Sequence, residues 1–418
     1  MYQAIIARIK TRPHPNADRI QLADVCGTTV VVGLDQKDGD LGVYFPSDGV
    51  LSHEFCLANN LYNKSARAKL GLPPEGPIGF FDHHRRVRTQ GFRGQKSDGF
   101  WLPLDCLAYL HGGAPFIVSE GQMFDTWQGQ EICRKWTTRQ VGAANTPSNR
   151  RNKELLSFPK HMDTEQWDYY WKDIPDGSLL TITEKIHGTS HRVGMVKTAK
   201  KWWEFWRPAY QPVHGSRNVV LTAHSGRTSY YGSDEFRYKA VGTPDLRKGE
   251  VVYGEIVGFV GAGQPIMPSH TVDQKELPDV AQAFGPTVSY HYGQPDGHAK
   301  FVVYRIVQFN EDGEAVELSH PQVVRRATAL GYDVVPKLMQ LMCYTIDSEV
   351  VTAAVQQLVG DIYRPSLVAP NQMAEGVVIR VDTPDGHIRF LKKKSYAFKL
   401  LEGIIKSDET YADIEENA

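Results

Sequence analysis

One lysine of this chain stands where an apolar strand gives way to a glycine turn. The run is Glu184-Lys185-Ile186-His187-Gly188-Thr189-Ser190, and it follows the apolar residues LLTITEKI. Because glycine lets the backbone turn tightly, we expect Lys185 at the lip of a sheet. A lysine amine beside other cations serves as a nucleophile in covalent catalysis. Read alone, the same lysine would be an ordinary solvated surface group.

Later segments supply the cations and acids that such chemistry needs. Glu255 interrupts the apolar run VVYGEIVG, and Glu375 opens the run EGVVIRVD. In FLKKKS, Lys392 and Lys394 are two residues apart, so a strand turns both to one face and Lys393 to the other. Two lysines on one face favour an anionic ligand, and a phosphate group is the obvious candidate.

Taken in order, these segments resemble the covalent nucleotidyltransferase superfamily of polynucleotide ligases and capping enzymes, and most closely the nick-sealing RNA ligases. EKIHGT matches the superfamily pattern K-x-[D/H]-G in its RNA ligase form, with His187 where DNA ligases carry aspartate. The resemblance implies that Lys185 becomes attached to AMP and that Glu184 beside it contacts the nucleotide. It associates His187 with the later, RNA-dependent steps.

Three further segments resemble the nucleotide-binding motifs of that superfamily. HGSRNVV implies that Arg217 contacts the ribose and phosphate side, although Arg227 in HSGRTSY is an alternative. YGEIVG implies that Glu255 contacts the ribose hydroxyl or helps to hold metal. FVVYRI implies that Tyr304 stacks on the base, but Arg305 stands where the usual pattern has aspartate.

The last two motifs concern the metal and the phosphate. By resemblance, AEGVVIR makes Glu375 a metal ligand, and FLKKKS gives Lys392 and Lys394 the α-phosphate. Ser190 stands where related enzymes often have an asparagine that orients metal-bound water. The implied metal set is therefore Glu375, Glu255 and Ser190, and the implied cofactors are ATP and Mg²⁺ or Mn²⁺.

The elements around these motifs predict an α+β protein of two domains. The first hundred residues read as short strands separated by turns. The stretches HPNADRIQLADV, GDLGVYFPSDGVLS and RGQKSDGFWLPL resemble the OB domain that precedes the ligase domain in Deinococcus-type RNA ligases. We expect an OB-like β-barrel with an extension over 1–135, a basic linker over 136–155, and a nucleotidyltransferase domain with antiparallel sheets and flanking helices over 156–418.

Composition limits the remaining possibilities. The chain has 418 residues, with Lys and Arg totalling 47 and Asp and Glu 48, so any basic surface must be local. The segment KKWWEFWRPAY over 200–210 mixes aromatic and basic residues, which suits either RNA contact or packing. Five dispersed cysteines indicate a reducing compartment, and no apolar run reaches membrane-spanning length, so we expect a cytoplasmic protein.

The function that these observations favour is ATP-dependent ligation of RNA. The expected substrate is RNA with 3′-hydroxyl and 5′-phosphate ends, meeting at a nick in a duplex, as in RNA repair. A DNA ligase, a GTP-dependent capping enzyme, and a non-catalytic OB-type RNA-binding protein are the alternatives.

Overall fold

The computed structural model describes residues 2–73, 75–112, 117–137, 158–198, 209–221, 231–310, 312, 314–344 and 348–405. These residues form two compact units. The first contains the described residues up to 137 together with 399–405, and the second contains those from 158 to 398. Most of the expected basic linker and of the aromatic-basic segment, and all of Arg227, lie outside the described residues.

The first unit is built from short strands and turns. Its hydrogen-bonded strand groups, within the described residues, follow the orders β10-β5-β1-β11, β14-β6-β7, β2-β3-β4, β8-β9 and β12-β13. The strands are β1 (Ala4–Arg8), β2 (Lys10–Pro13), β3 (Ile20–Val25), β4 (Thr28–Gly33), β5 (Leu41–Phe45), β6 (Gly49–Leu51), β7 (Arg86–Val87), β8 (Thr89–Phe92), β9 (Gln95–Asp98), β10 (Phe100–Pro103), β11 (Met123–Phe124), β12 (Thr126–Trp127), β13 (Gln130–Glu131) and β14 (Cys133–Lys135).

Two short helices and one 3₁₀ segment complete this unit. Ser52 and Asn63 cap the helices, because each side chain accepts a hydrogen bond from a backbone amide of the first turn. The helices are α1 (His53–Ala58) and α2 (Lys64–Lys69), and the 3₁₀ segment is Leu104–Leu110. Apolar side chains of the helices and strands, including Phe45 and Phe55, form a shared core.

The predicted β character of the first hundred residues is confirmed, but a closed barrel is not. The strand groups of the described residues do not join into one continuous sheet that closes on itself. One of the strand pairs is the hairpin of β8 and β9, and Gly94 in its turn has φ +78°. The OB assignment therefore stays a proposal.

The second unit contains two larger sheets. One has the order β15-β29-β28-β16-β27, and the other β19-β18-β17-β20-β24-β25 with β21 and β26 attached. Their strands are β15 (Glu165–Gln166), β16 (Ser178–Lys185), β17 (Thr189–Lys197), β18 (Tyr210–Gly215), β19 (Val220–Leu221), β20 (Glu250–Gly261), β21 (Gln264–Pro265), β24 (Ala299–Phe309), β25 (Ala315–Glu317), β26 (Asp333–Val334), β27 (Lys337–Cys343), β28 (Gly376–Asp382) and β29 (Ile388–Lys394); a separate pair is β22 (His270–Thr271) with β23 (Thr287–Val288).

Helices flank these sheets, as the sequence predicts. They are α3 (Trp167–Tyr170), α4 (Glu235–Val241), α5 (Pro278–Phe284), α6 (His320–Ala329) and α7 (Ser348–Val359), and a 3₁₀ turn spans Trp171–Asp173. The last helix, α8 (Tyr396–Ile405), begins in the second unit, and its residues from 399 onward belong to the first. Val351, Val355 and Val359 recur at helical spacing on α7 and join the core of the β16 sheet. Among the described residues, none of the helices is long and apolar enough to cross a bilayer.

Candidate active site

The floor of a large cleft is formed by three neighbouring strands of the β16 sheet. Lys185 pairs with Gly376 and Gly376 with Lys394, and two residues along the strands Thr183 pairs with Val378 and Val378 with Lys392. A third row holds Thr181, Arg380 and Phe390. Residues on one strand face repeat every ~7 Å, so the floor runs from a lysine end to an arginine and phenylalanine end over ~13 Å.

The cleft above this floor is partly open to solvent. The floor residues named above line it, except for Gly376, and so do residues from the facing sheet and from the preceding segment: His161, Met162, Thr164, Ser190, Arg217, Glu255, Tyr304 and Arg305. The expected alternation in FLKKKS is confirmed, because Lys392 and Lys394 line the cleft while Lys393 forms a buried ion pair with Asp168.

The carboxylate of Glu375 is where the lysines meet. It is fully buried, and its Oε2 accepts a hydrogen bond from Lys185 Nζ at 2.7 Å. Lys394 Nζ lies 3.2 Å from Oε1, and His187 Nδ1 lies 3.5 Å from Oε2. Lys185 and His187 thus meet Glu375 and Lys394, which lie far away in the sequence, in one cluster at the lysine end of the cleft.

His187 is held behind this cluster by an aromatic cage. Its ring packs edge-on against Tyr290 and Phe398, at centroid distances of 4.7 Å and 4.9 Å. Its backbone N–H donates to the hydroxyl of Tyr292 at 2.8 Å. The ring is 5 % exposed. His187 therefore contacts Glu375 rather than the open space of the cleft.

Ser190 and Glu255 are paired across the facing sheet. They lie opposite each other on β17 and β20, and Ser190 Oγ donates to Glu255 Oε1 at 2.8 Å. Both line the cleft. The short serine side chain thus reaches the carboxylate directly, and it orients Glu255 by a hydrogen bond.

A β-bulge explains why two consecutive residues of β24 face the cleft. Tyr253 pairs with Arg305 and Gly254 with Val303, so Tyr304 is the extra residue of the bulge. Successive residues of a regular strand point to opposite sides, whereas a bulge re-aims one of them. Tyr304 and Arg305 both line the cleft as a result.

Arg305, which stands where the expected motif has aspartate, forms an ion pair with Glu317. Its guanidinium donates twice to Glu317, at 2.9 Å and 2.8 Å, and lies over the ring of Tyr253. Arg380 lies 3.6 Å from the same carboxylate. Glu317 therefore joins two arginines at the end of the cleft opposite Lys185.

Arg217, whose nucleotide contact stays a prediction, is a residue of the cleft wall. It lines the cleft, and its Nη2 donates to Asp163 Oδ1 at 2.6 Å. The guanidinium holds the pKa of the Asp163 carboxyl below its usual range, against the opposing effect of burial.

His161 is a cleft residue that sequence reasoning missed. Its ring packs edge-on against Tyr304, with centroids 5.6 Å apart. Burial, followed by the charges of Arg217 and Arg305, lowers the pKa of His161 to about 3, so the ring is neutral. It lies outside every motif, and no signal in the sequence could have identified it. By contrast, strand alternation from Lys392 would have indicated Phe390.

Glu184 also lines the cleft, but its carboxylate has partners within the protein. It is fully buried and accepts hydrogen bonds from Arg364 Nη2 at 3.0 Å, from the backbone N–H of Leu367 at 2.8 Å, and from Ser366 Oγ. These groups belong to the loop that precedes Glu375. The prediction that Glu184 contacts a nucleotide stays a prediction, and its acceptor oxygens are engaged by the protein.

Comparisons with known proteins bear on this geometry. The family model described as RNA ligase matches residues 179–400, which include the cleft floor and the Lys185 cluster. No curated protein sequence matches the chain.

Several solved structures share the fold. A variant of Naegleria gruberi RNA ligase with ATP and manganese superposes with a TM-score of 0.52 at 19% identity, over 95% of this chain and 97% of that one. An apo variant of the same ligase gives 0.53 at 19% identity, over 95% and 96%. A variant with AMP and manganese gives 0.52 at 18% identity, over 95% and 97%. The family match extends over more than half of this chain, and the protein belongs to the RNA ligase family.

Proposed function

We propose that the protein is an ATP-dependent RNA ligase that joins a 3′-hydroxyl to a 5′-phosphate through a lysyl-adenylate. The observation that carries this proposal is the meeting of Lys185, Lys394 and Glu375 at one end of a cleft that both sheets of the second unit line. The family match supplies RNA as the substrate class. Structures of the Naegleria gruberi enzyme with ATP or AMP support the choice of nucleotide.

The first chemical step belongs to Lys185. Its Nζ attacks the α-phosphorus of ATP, a nitrogen–phosphorus bond forms, and the bond to the departing pyrophosphate breaks. Glu375 Oε2 holds the amine in place as its hydrogen-bond acceptor. Phosphoryl transfer depends mainly on positioning and on stabilising charge at the nonbridging oxygens, and Lys392 and Lys394 are the cations on the cleft floor that supply this stabilisation.

The remainder of the cleft suits the nucleoside. Beyond the lysines the floor carries Thr183 and Val378, and Tyr304 lines the wall. The apolar side chain of Val378 on the floor and the ring of Tyr304 on the wall favour the binding of a planar base. Arg217 is placed for the ribose and phosphate side, as the sequence resemblance implies.

The carboxylates present fit a hard divalent cation. Glu375 and Glu255 offer oxygen ligands, Ser190 orients Glu255, and Mg²⁺ or Mn²⁺ is commonly held by one or two carboxylates and by substrate phosphates. Such an ion supplies positive charge that stabilises the transferred phosphate. Without nucleotide, the lysines neutralise Glu375.

The later steps use the RNA ends. AMP passes from Lys185 to the RNA 5′-phosphate, and the 3′-hydroxyl then attacks that phosphate and releases AMP. We assign His187 to these steps through its contact with Glu375. We further propose a Deinococcus-type enzyme, whose OB-like first unit holds an RNA duplex at its nick.

Sealing of synthetic nicked duplexes tests this function. The substrates carry a 3′-hydroxyl and a 5′-phosphate, with RNA or DNA on each side of the nick, and products are separated on denaturing gels. We expect sealing with ATP and a divalent cation when the 3′-hydroxyl strand is RNA, and no sealing by Lys185→Ala. Lys239→Ala is the matched control, because Lys239 is an exposed lysine on α4.

Each alternative has its own outcome. Equal sealing of a DNA 3′-hydroxyl strand would identify a DNA ligase and contradict the RNA-specific proposal. Use of GTP in place of ATP would identify a capping-type enzyme. RNA binding without any transfer of AMP would identify a non-catalytic RNA-binding protein.

A further inference from the structure

Glu184 and Lys185 are sequence neighbours that engage the two ends of one loop. The loop spans 360–374 and leads from α7 into Glu375 and β28. Lys185 donates to Glu375 at the end of the loop, whereas Glu184 accepts from Arg364, Ser366 and Leu367 near its start. Neighbouring residues on a strand point to opposite faces, so one strand end holds the loop from both sides.

The carboxylate of Glu184 is saturated by this loop. Both oxygens accept: Oε1 from Ser366 Oγ, and Oε2 from the Arg364 guanidinium and the Leu367 amide. Its side chain is 0 % exposed, and that of Arg364 is 17 % exposed. A buried carboxylate that lost these donors would carry a large desolvation cost, so the contact is maintained while the fold is intact.

Hydrogen bonds join the start of the loop to its end, so the contacts that hold the start also fix the position of the end. The amide of Ser366 donates to the carbonyl of Gln372, and the amide of Ala374 donates to the carbonyl of Arg364, both at 2.8 Å. Pro365 and Met373 form an isolated β-bridge. Ser366 Oγ also accepts from the amides of Val368 and Ala369. The position of Arg364 therefore determines the position of Ala374, the residue before Glu375.

A second connection runs from the same loop to His187. The side chain of Gln372 accepts from the backbone N–H of Tyr292 at 2.8 Å, and the hydroxyl of Tyr292 accepts from the backbone N–H of His187 at 2.8 Å. The loop that Glu184 holds thus positions both His187 and Glu375.

We infer that Glu184 is a positioning residue, which acts on the transfer of AMP by holding the 360–374 loop and through it Glu375, and not by touching the nucleotide. This inference rests on the proposed function for the chemistry at Lys185. It accounts for Glu184 without a nucleotide contact.

The test separates binding from chemistry in four variants: Glu184→Ala, Glu184→Gln, Arg364→Ala and Ser366→Ala. The rate of AMP transfer to the protein is measured in single turnovers as a function of ATP concentration. We expect Glu184→Ala to lower the maximal rate by about 100-fold, because small displacements of reacting groups are that costly. The half-saturating ATP concentration should change by less than about threefold, because the contacts that bind ATP before the reaction are unchanged.

Three comparisons make the result decisive. Glu184→Gln keeps an acceptor oxygen and should recover part of the rate. Arg364→Ala and Ser366→Ala, which alter only the loop, should show the same loss of maximal rate. The double variant Glu184→Ala with Ser366→Ala should be no slower than the slower single variant, because residues of one network are not additive.

The contrary results are equally specific. A raised half-saturating ATP concentration with an unchanged maximal rate, seen only in the Glu184 variants, would show that Glu184 contacts the nucleotide and would overturn the inference.

Limited proteolysis of the loop without nucleotide provides a readout that needs no activity. The variants Glu184→Ala and Ser366→Ala should be cut faster within 360–374 than wild type. Equal cleavage would also overturn it. If wild type takes up no AMP, the proposed function fails, and proteolysis still tests the clamp.

Discussion

At the scale of single residues, the site depends on what each charged side chain is paired with. Lys392, Lys393 and Lys394 are consecutive and chemically identical, but their surroundings differ. Lys394 lies beside Glu375 in the cleft, whereas Lys393 is buried against Asp168 on the other face. The same substitution should therefore affect catalysis at one position and stability at the next.

Lys392→Met and Lys393→Met test this contrast. Lys392→Met removes a cation from the cleft floor, and we expect AMP transfer to fall by about 100-fold or more while stability is kept. Lys393→Met leaves Asp168 buried without its ion-pair partner, and we expect the free energy of unfolding to fall by about 3 kcal/mol or more. Single-turnover AMP transfer and urea unfolding measure the two effects.

The opposite pattern would contradict the assignment of faces. If Lys392→Met lost stability and kept its rate, Lys392 would be a structural residue. Residual activity of any folded Lys393→Met protein, measured well below its unfolding midpoint, provides the control.

Features of the site that depend on neighbouring residues in the sequence could be predicted, whereas contacts between residues far apart in the sequence could not. Alternation along FLKKKS is a property of neighbouring residues, so both cleft lysines and the opposite face of Lys393 could be predicted. The partners of Glu184 lie about 180 residues away, and no local pattern reports them. Arg305 and Glu317 are only 12 residues apart on the consecutive strands β24 and β25, but their pairing depends on the register between these strands.

At the scale of elements, the site depends on how closely β28 and β29 approach. Gly376 begins β28 opposite Lys394, and a Cβ built there would lie 2.1 Å from the carbonyl oxygen of Lys393 and 2.7 Å from the Cα of Lys394. The neighbouring atoms are backbone, so they move only if the strand moves. The glycine therefore sets the distance between the two strands at the cleft.

Gly376→Ala should separate these strands and displace Lys394. We expect a loss of stability of about 1–3 kcal/mol from overpacking. We also expect AMP transfer to fall by about tenfold or more, because Lys394 no longer meets Glu375. Gly261→Ala on β20 is the matched control, since a Cβ there meets nothing within 4 Å. Equal behaviour of the two variants would contradict this role for Gly376.

A histidine pair between β17 and β18 should make stability depend on pH. His191 Nε2 and His214 Nδ1 are 3.1 Å apart, and burial lowers the pKa of His214 from 6.5 to about 4 and that of His191 further. Both are neutral when folded, whereas the unfolded chain binds protons near 6.5. Stability is therefore lost as the pH falls from about 6.5 towards 4.

Urea unfolding at about pH 7.5 and about pH 5 measures this loss. The free energy of unfolding should be lower at the acidic pH, and His214→Gln should reduce the difference. His387→Gln serves as the control, because His387 is largely exposed. A pH dependence that His214→Gln leaves unchanged would contradict a role for this pair.

Strands can be read from the sequence because apolar runs and turn residues are local signals. The runs VVYGEIVGFV and KFVVYRIVQF form β20 and β24. The bulge at Tyr304 was not predictable, because it arises from the register between these two strands.

At the scale of the whole molecule, a net charge of −1 requires that any polyanion contact be local. Apart from the cleft lysines, the expected linker carries three basic residues within four positions, Arg150, Arg151 and Lys153. This stretch lies outside the described residues, so its role is argued from the sequence. Replacing these three residues by glutamine should lower the slope of log K for RNA against log salt by about 2.

Fluorescence anisotropy with a labelled RNA measures that slope between about 50 and 200 mM salt. AMP transfer from ATP should be unaffected, because the cleft lysines are unchanged. The exposed residues Lys239, Lys248 and Lys275 of the second unit, replaced by glutamine together, provide a charge-matched control. An equal change of slope in the control would indicate a general effect of net charge and would contradict a specific RNA contact by the linker.

The central claim is that Lys185 carries AMP, and intact-protein mass spectrometry followed by peptide mapping tests it most directly. After incubation with ATP and Mg²⁺, we expect a gain of one AMP located on Lys185, which is absent from Lys185→Ala and retained in Lys239→Ala. No gain, or AMP located on a different residue, would contradict the account.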